Sequence, residues 1–338
     1  MNKTYIIAEL SANHRQQYDE AIKLIIAAKK SGADAVKTQT YTPDTLTIDC
    51  DRPEFMIKGG TLWDKKKLYD LYAEAYMPWE WNSKLKKFTE ELGMDYITTV
   101  YDKTSVDYLE PLNLIAYKIA SFEMNDTLFL EYVASKHRHM FVSTGMATFS
   151  EISDAIKAIQ KHKCPLTLLK CNSGYPASLS EMNLLTIPDM KEEFEVPVGL
   201  SDHTLGITAP VVAVALGAIV IEKHFTFDRN VKSPDSEFSL EPNEFTQMVR
   251  CVREAEQSLG EVKYMPTKGE LKSLPFRRSL YAIKDIQKGE TFTEDNIRSI
   301  RPRYGMSPSF MPWVIGKTAS CDIEKGTPLG FSHITFKE

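Results

Sequence analysis

Short apolar, β-branched runs recur along the chain and alternate with amphipathic segments of helical period. Eight of these runs have the length and composition of strands: residues 5–10, 35–41, 96–101, 116–121, 140–145, 166–171, 197–202 and 219–225. Between most of them lie amphipathic stretches such as 19–30, 151–161 and 207–216, with Gly or Pro at their ends. Because this alternation implies parallel strands, eight units over about 250 residues predict an α/β fold, a (β/α)8 TIM barrel.

The pattern departs from regular alternation in two places. Between Tyr41 and Tyr96 the interval is too long for one helix, which predicts a loop insertion with added helix. After an amphipathic helix over 242–259, residues 261–275 are polar and rich in Pro and Gly. We therefore predict a barrel domain over 1–260, a linker over 261–275 and a small second domain over 276–338.

The second domain contains an internal repeat. Its cassettes DIQKGETFTEDNI and DIEKGTPLGFSHI each combine an apolar pair, a charged Gly turn and a further short strand. This repetition predicts a compact, β-rich module.

Composition narrows the classes of function. The 338 residues carry a net charge of −5, which provides no general attraction for nucleic acid. The five cysteines are odd in number, scattered and without CxxC spacing, as expected of reduced thiols. The sequence shows neither a signal peptide nor a membrane span. We therefore expect a cytoplasmic protein with no nucleic-acid or membrane partner.

Polar side chains concentrate where the predicted strands end. In a TIM barrel the reactive groups lie at the C-terminal strand ends, because the loops there converge over one mouth. The residues at those positions are Glu9, Lys37, Gln39, Thr99, Lys118, Ser121, Ser143, Ser173, Ser201, His203 and His224. Since buried polar groups are costly without partners, this concentration predicts a binding site.

His203 and His224 end two consecutive strands, in LSDHT and EKHFT. Two neighbouring imidazoles can hold one divalent cation and leave coordination positions open for water and a substrate oxygen. The alternative is a pair of hydrogen-bonded core histidines.

Lys37 and Lys118 lie inside strands where an ordinary barrel has Val or Ile. A buried ammonium persists only beside an anion, so a phosphate or carboxylate ligand would explain both residues. The alternative is an internal salt bridge to Glu9 or Glu123.

Glu9, Glu123 and Asp235 are candidates for proton transfer, although carboxylates are more often solvated surface groups. The insertion is dense in aromatic residues, which could form a sugar platform or pack its helices: Trp63, Tyr69, Tyr72, Tyr76, Trp79 and Trp81.

Over nearly its whole length the sequence resembles the sialic acid synthase family. The barrel motifs that carry the resemblance are IIAELSANH, DAVKTQTY, YKIASFE, STGMAT, YPAS, GLSDHTLG, IVIEKHF and PDSEFSLEP. The tail, with RSLYA, DIQKGE and SIRP, resembles the antifreeze-like (SAF) domain of that family, without implying a role in ice binding. The chain departs from the family pattern at NHRQQ, at NSGYP, at Ser233 and at Arg303.

The resemblance implies that phosphoenolpyruvate adds to the aldehyde of an N-acetylated amino sugar and that phosphate leaves with C–O cleavage. It implies that His203 and His224 bind a divalent metal, with Mn²⁺ preferred over Mg²⁺ or Co²⁺. It also implies that Glu9 transfers protons. The positions implied for phosphoenolpyruvate are Lys37, Thr99, Lys118, Ser121, Ser173 and Ser201. Those implied for the sugar are Gln39, Glu123, Tyr175 and Asp235, with Arg301 from a partner subunit.

The resemblance further implies a domain-swapped homodimer, in which the SAF domain of one subunit caps the barrel of the other. The forms AELSANH and PDSEFSLEP favour the branch of the family that makes pseudaminic acid. The alternatives are the branches that make N-acetylneuraminate or legionaminic acid. A catalytically silent sugar-binding protein on the same fold is a further alternative.

Overall fold

The computed structural model describes residues 3–336. The chain divides between Gly260 and Glu261 into two compact units. The segment predicted as a linker carries a 3₁₀ helix, Glu270–Phe276, within the second unit.

The first unit is built on a closed barrel of eight parallel strands, which confirms the predicted fold class. The strands are β1 (Tyr5–Glu9), β2 (Ala35–Thr40), β3 (Asp95–Val100), β4 (Ala116–Ile119), β5 (His139–Ser143), β6 (Leu166–Cys171), β7 (Val198–Asp202) and β8 (Val220–His224). Pairing of β8 with β1 closes the barrel and sets Glu9 beside His224. The ends of the first and last strands therefore meet at one mouth.

Helices follow the strands. They are α1 (Tyr18–Lys30), α2 (Pro43–Leu46), α3 (Leu68–Ala75), α4 (Trp81–Glu91), α5 (Lys103–Leu109), α6 (Thr127–Ala134), α7 (Phe149–Gln160), α8 (Thr186–Phe194), α9 (Thr208–Ala215) and α10 (Pro242–Leu259). The helices α2, α3 and α4 all lie between β2 and β3, where the sequence predicted an insertion. Local signals set their ends; for example, the Thr148 and Glu151 side chains form a capping box that starts α7.

The lower part of the barrel interior is filled by apolar side chains. Seven strands contribute one residue each to this layer: Ile7, Ala35, Ile97, Ala116, Phe141, Leu169 and Val220. The remaining strand, β7, contributes Gly199. A Cβ atom there would lie 2.6 Å from the Val220 carbonyl oxygen and 2.8 Å from a Leu169 methyl carbon. Glycine is required there because the packed interior leaves no space for a side chain.

The second unit has its own small core. Its regular elements are β9 (Ser279–Ala282), paired antiparallel with β10 (Ile297–Ile300), and the short helix α11 (Met311–Val314). Ile286 and Ile323, at equivalent positions of the two repeat cassettes, form an antiparallel bridge with both N–H···O distances at 2.8 Å. The repeat therefore joins the two halves of this unit.

Between residues 3 and 336, no helix combines the length and the apolar character needed to cross a membrane.

Candidate active site

A layer of polar side chains lies directly above the apolar layer of the barrel. Since side chains alternate across a strand, the residue two positions further along points into the barrel again. Counting on by two from the apolar layer gives Glu9, Lys37, Thr99, Lys118, Ser143, Cys171, Ser201 and Glu222. All eight side chains are buried. We call these eight residues the floor layer.

A cavity of about 480 Å³ opens above the floor layer. A further step of two positions along the strands supplies its next ring, including Gln39, Ser173, His203 and His224. Loops after the strands add Ser121, Glu123, Tyr175 and Asp235. The structure thus brings together almost all of the predicted site residues. Glu9 lies behind the lining rather than in it, and Arg301 lies in the second unit with an exposed side chain.

Two lysines share one carboxylate in the floor layer. Glu222 Oε1 lies 3.6 Å from Lys37 Nζ and 3.5 Å from Lys118 Nζ. Burial opposes ionisation of Glu222, but the two ammonium groups outweigh it and lower the pKa of this carboxyl. Glu9 Oε2 forms a second ion pair with Lys37 at 2.6 Å, so the predicted internal salt bridge exists for Lys37. Burial raises the pKa of Glu9 to about 7, which leaves the group only partly ionised at neutral pH.

Of the two lysines in the floor layer, Lys118 has the weaker internal compensation. Within the described residues, its Nζ donates no hydrogen bond and has only Glu222 as a carboxylate within 4.0 Å. Burial lowers the pKa of Lys118 accordingly. A buried ammonium in this situation is stabilised by an anionic ligand in the cavity.

Serine hydroxyls surround the space next to Lys118. Gly145 N donates to Ser121 Oγ at 3.0 Å, and a Cβ atom at Gly145 would lie 2.2 Å from Ser173 Oγ. Ser143 Oγ is buried without a hydrogen-bond partner in the part of the chain that is described. Gly145 therefore lets these hydroxyls converge, and hydroxyl donors beside a lysine suit a phosphate or carboxylate.

His203 and His224 meet in the cavity wall, with ring centroids 5.2 Å apart. Nδ1 of His203 lies 2.8 Å from the Asn172 carbonyl oxygen, which can only accept, so Nδ1 carries a proton and Nε2 is the nitrogen that could bind a metal. Burial, together with nearby positive groups, holds the pKa of His224 well below its usual range, and its Nδ1 is buried without a partner among residues 3–336. Burial opposes protonation of His203, but contacts with Cys171 and the Asn172 carbonyl outweigh it and raise the pKa of this ring. Two adjacent imidazoles fit a divalent cation, which would displace the second proton of His203 on binding.

No group of three or more metal-ligating His, Cys, Asp or Glu side chains occurs within the described residues. A cation at this place would thus have two protein ligands and several open positions.

Two carboxylates face the cavity above the floor layer. Burial raises the pKa of Glu123 to about 7, and its Oε2 has no hydrogen-bond partner in the described structure. Asp235 accepts hydrogen bonds from Ser11 Oγ and from Ala12 N. Gln39 Nε2 links the same region to Glu9 Oε1 at 2.9 Å. Glu123 is therefore suited to proton exchange near neutral pH, and Asp235 is held in a fixed orientation.

The outer side of the cavity is apolar and comes from the segment between β2 and β3. The cavity-lining residues of that segment are Leu46, Ile57, Thr61, Trp63, Leu68, Leu71, Tyr72 and Ala75. We call them the outer wall. Of the six aromatic residues considered as a sugar platform, only Trp63 and Tyr72 belong to it. Trp81 instead packs against Tyr18, with ring centroids 5.4 Å apart, so the aromatic residues divide between the cavity lining and helix packing.

Sequence reasoning missed Glu222 and Cys171 as members of the floor layer. A signal for both was present, because each lies two residues before a polar residue already selected, His224 and Ser173 respectively. Residues at this spacing share one face of a strand.

The fold and site define a class: a TIM-barrel protein with buried lysines and a pair of histidines around a cavity at the C-terminal strand ends. Residues 24–264 match the NeuB family, and residues 277–335 match the SAF domain. The chain belongs to the NeuB family, which confirms the resemblance inferred from its motifs.

The similarity to known proteins extends over nearly the whole chain. The chain is 49% identical to pseudaminic acid synthase of Campylobacter jejuni, over 97% of this chain and 95% of the relative. It is 35% identical to N,N'-diacetyllegionaminic acid synthase of Legionella pneumophila, over 98% and 94%. The crystal structure of spore coat polysaccharide biosynthesis protein spsE from Bacillus subtilis matches with a TM-score of 0.66 and 33% identity, over 99% of this chain and 96% of that one.

Proposed function

We propose that the chain condenses phosphoenolpyruvate with 2,4-diacetamido-2,4,6-trideoxy-L-altrose, giving pseudaminic acid and phosphate. The observation that carries this proposal is the floor layer, where Lys37 and Lys118 share Glu222 directly beneath His203 and His224. Two buried ammonium groups, of which Lys118 has only the shared Glu222 as a carboxylate within 4.0 Å among the described residues, suit an anionic substrate that reacts with a polarised carbonyl.

Phosphoenolpyruvate brings a phosphate and a carboxylate to these two lysines. Lys118 and the serine hydroxyls around Gly145 bind the phosphate, because both act as donors to its oxygens. Lys37, which donates to Thr99 Oγ1 at 2.8 Å, binds the carboxylate together with Ser201. Both charged ends of the substrate are thereby held, which orients the C2=C3 bond between them.

In the reaction, C3 of phosphoenolpyruvate forms a bond to the aldehyde carbon, water adds at C2 and the C2–O bond to phosphate breaks. A divalent cation held by His203 and His224, Mn²⁺ by preference and Mg²⁺ or Co²⁺ otherwise, supplies Lewis-acid polarisation of the aldehyde oxygen. Glu123 carries a proton to that oxygen as the bond forms, since its pKa of about 7 allows exchange at neutral pH. Asp235 orients sugar hydroxyls, and Glu9 orients Lys37 and Gln39 from behind.

The choice of sugar is supported by similarity and by the outer wall. Identity is 49% to the Campylobacter jejuni relative and 35% to the Legionella pneumophila relative, so the pseudaminic acid branch is favoured over legionaminic acid. N-Acetylmannosamine, the precursor of N-acetylneuraminate, would place additional hydroxyls against an apolar surface.

A substrate panel tests the proposal. The protein is mixed with phosphoenolpyruvate, Mn²⁺ and each candidate acetamido sugar, phosphate release is followed, and the product is identified by mass spectrometry. We expect fastest turnover with the diacetamido trideoxy altrose. Absence of turnover with every sugar would favour the silent sugar-binding alternative.

The active form is proposed to be a domain-swapped homodimer working in the cytoplasm, where the five free cysteines stay reduced. Large apolar side chains are exposed on five of the loops around the barrel mouth: Ile48, Phe122, Met146, Leu205 and Phe227. Such a ring around a polar cavity suits a surface that a second subunit covers.

Subunit complementation tests the composite site. Lys118→Met disables the barrel, and Arg301→Ala disables the proposed contribution of the SAF domain. Dissociated and reassociated together, the two inactive variants form heterodimers with one intact site each. Since roughly half of the dimers are then mixed, we expect roughly a quarter of wild-type activity. Full activity of Arg301→Ala alone, or no recovery on mixing, would contradict the swap.

A further inference from the structure

A hairpin-shaped loop, residues 56–67, lines the cavity from the segment between β2 and β3 and is here called the arm. Met56 and Lys67 form an antiparallel bridge at its base, and Ile57 N donates to Lys66 O at 2.9 Å. At its tip, the Asp64 carboxylate accepts from Gly60 N and Thr61 N, both at 2.9 Å. These contacts hold the tip in one conformation, so the residues on it have defined positions.

Trp63 is the largest side chain that the arm contributes to the outer wall. Its Nε1 donates to the Pro234 carbonyl oxygen at 3.0 Å, in the loop after β8, across the cavity mouth. Its ring lies 5.7 Å from the Tyr175 ring, which in turn lies 4.3 Å from His203. A continuous aromatic surface therefore runs from the arm to the proposed metal site.

The hydrogen bond of Trp63 determines what the ring offers to a ligand. Indole has one polar hydrogen, and it is used by Pro234 O. Only the apolar ring surface remains for contacts inside the cavity. The neighbouring members of the outer wall, Ile57, Leu68 and Leu71, are apolar as well. A hydroxyl pressed against this surface would lose water without gaining a hydrogen bond, whereas a methyl group would gain contact.

From this geometry we infer that Trp63 is a specificity-determining residue, which selects sugars with methyl-bearing groups in place of hydroxyls. The inference rests on the proposed function, because that function supplies the sugar. The diacetamido trideoxy sugar has an acetamido group at C4 and a methyl at C6. N-Acetylmannosamine has hydroxyl groups at both carbons. The ring contacts these substituents while the floor layer binds phosphoenolpyruvate.

The test compares Trp63→Ala, Trp63→Phe and a matched control, Leu62→Ala. Leu62 is the neighbouring arm residue, but it is exposed and does not line the cavity. Two readouts are taken with the full-length protein: calorimetric binding of the unreactive alditol of each sugar, and KM for both substrates in the turnover assay. For Trp63→Ala, KM and the dissociation constant for the diacetamido sugar are expected to rise about 10- to 200-fold. KM for phosphoenolpyruvate should stay at the wild-type value.

The preference of Trp63→Ala for the diacetamido sugar over N-acetylmannosamine should also fall. Leu62→Ala should show the KM values and dissociation constants of wild type. Trp63→Phe keeps a ring but loses the hydrogen bond to Pro234, so its loss should be clearly smaller. Equal losses in Phe and Ala variants would mean that anchoring of the arm matters rather than the ring, and would overturn the inference. An unchanged sugar KM in Trp63→Ala, or a parallel rise in KM for phosphoenolpyruvate, would also overturn it.

The two proposals can fail separately. If the wild-type protein binds the sugars but converts none of them, the proposed reaction is wrong. The binding data still decide the role of Trp63 in that case. If wild type binds no acetamido sugar at all, both proposals fall.

Discussion

The floor layer and the outer wall of the same cavity are built in opposite ways. The floor layer draws one polar side chain from each of eight strands, and Glu222 lies within 3.6 Å of both Lys37 and Lys118. The outer wall draws mainly apolar side chains from one inserted segment between β2 and β3. A group fixed by a whole barrel is rigid, whereas a wall made by one loop region can change without disturbing the barrel. The difference suggests that the floor layer determines the reaction and the outer wall determines which sugar reacts.

The largest effect is expected at the edge of the floor layer, at the paired histidines. Replacing His203 by Ala should reduce Mn²⁺-dependent turnover by more than about 100-fold, because loss of a ligand costs more than loss of an outer-shell contact. Electron paramagnetic resonance of added Mn²⁺ measures binding directly. His162→Ala, a histidine outside the cavity, is the control. Full activity of the His203 variant after chelation would refute the metal role.

A second substitution removes a positive charge from the floor layer and leaves the size of the side chain nearly unchanged. Lys118→Met keeps a similar length but removes the ammonium group, so affinity for phosphoenolpyruvate should fall about 100-fold. Binding of the sugar alditol to the outer wall should change little. Lys170→Met, on β6 of the same barrel but outside the cavity lining, is the matched control. If sugar binding fell as strongly as phosphoenolpyruvate binding, the division between the two regions would be wrong.

A smaller effect is expected from crowding the serine hydroxyls. A Cβ atom at Gly145 would lie 2.2 Å from Ser173 Oγ and 2.7 Å from Ser121 Oγ. Gly145→Ala should therefore push both hydroxyls aside and raise KM for phosphoenolpyruvate about 10-fold. Gly269→Ala, where the nearest atom to a new Cβ is 4.0 Å away, should have no such effect. Unchanged kinetics in Gly145→Ala would remove the serines from the anion site.

The smallest effect concerns Glu123, at the boundary between the two regions. Its pKa is raised by burial from 4.5 to about 7, so the native state holds this proton more tightly than the unfolded chain. The stability due to this proton is present below pH 4.5 and is lost as the pH rises through 7. Glu123→Gln has no proton to lose, so its stability relative to wild type should increase by about 1–2 kcal/mol between pH 5 and pH 8.

Urea unfolding of wild type and Glu123→Gln at both pH values measures this difference. A difference that is the same at pH 5 and pH 8 would show that Glu123 is not buried as a neutral acid.

Much of the fold could be read from local patterns. Strand runs with helical segments between them predicted the closed barrel, and the polar ends of those strands predicted most of the cavity lining, as seen for Lys118 and His203. The lateral contacts were harder to predict. The spacing of Glu222 from His224 could have placed it in the floor layer, but its contacts with Lys37 and Lys118 depend on the closed barrel bringing side chains of β2, β4 and β8 together.

The sequence by itself determined the alternation of strands and helices, the family and the chemical types of residue at the strand ends. These follow from periodicities of two and 3.6 residues, which are local properties of the chain. Only the tertiary structure decided that Lys37 and Lys118 share one carboxylate and that Trp63 contacts Tyr175 across the mouth. Those contacts join residues far apart in sequence. They depend on the register of a closed barrel and on the position of an inserted arm, neither of which is encoded in any short segment.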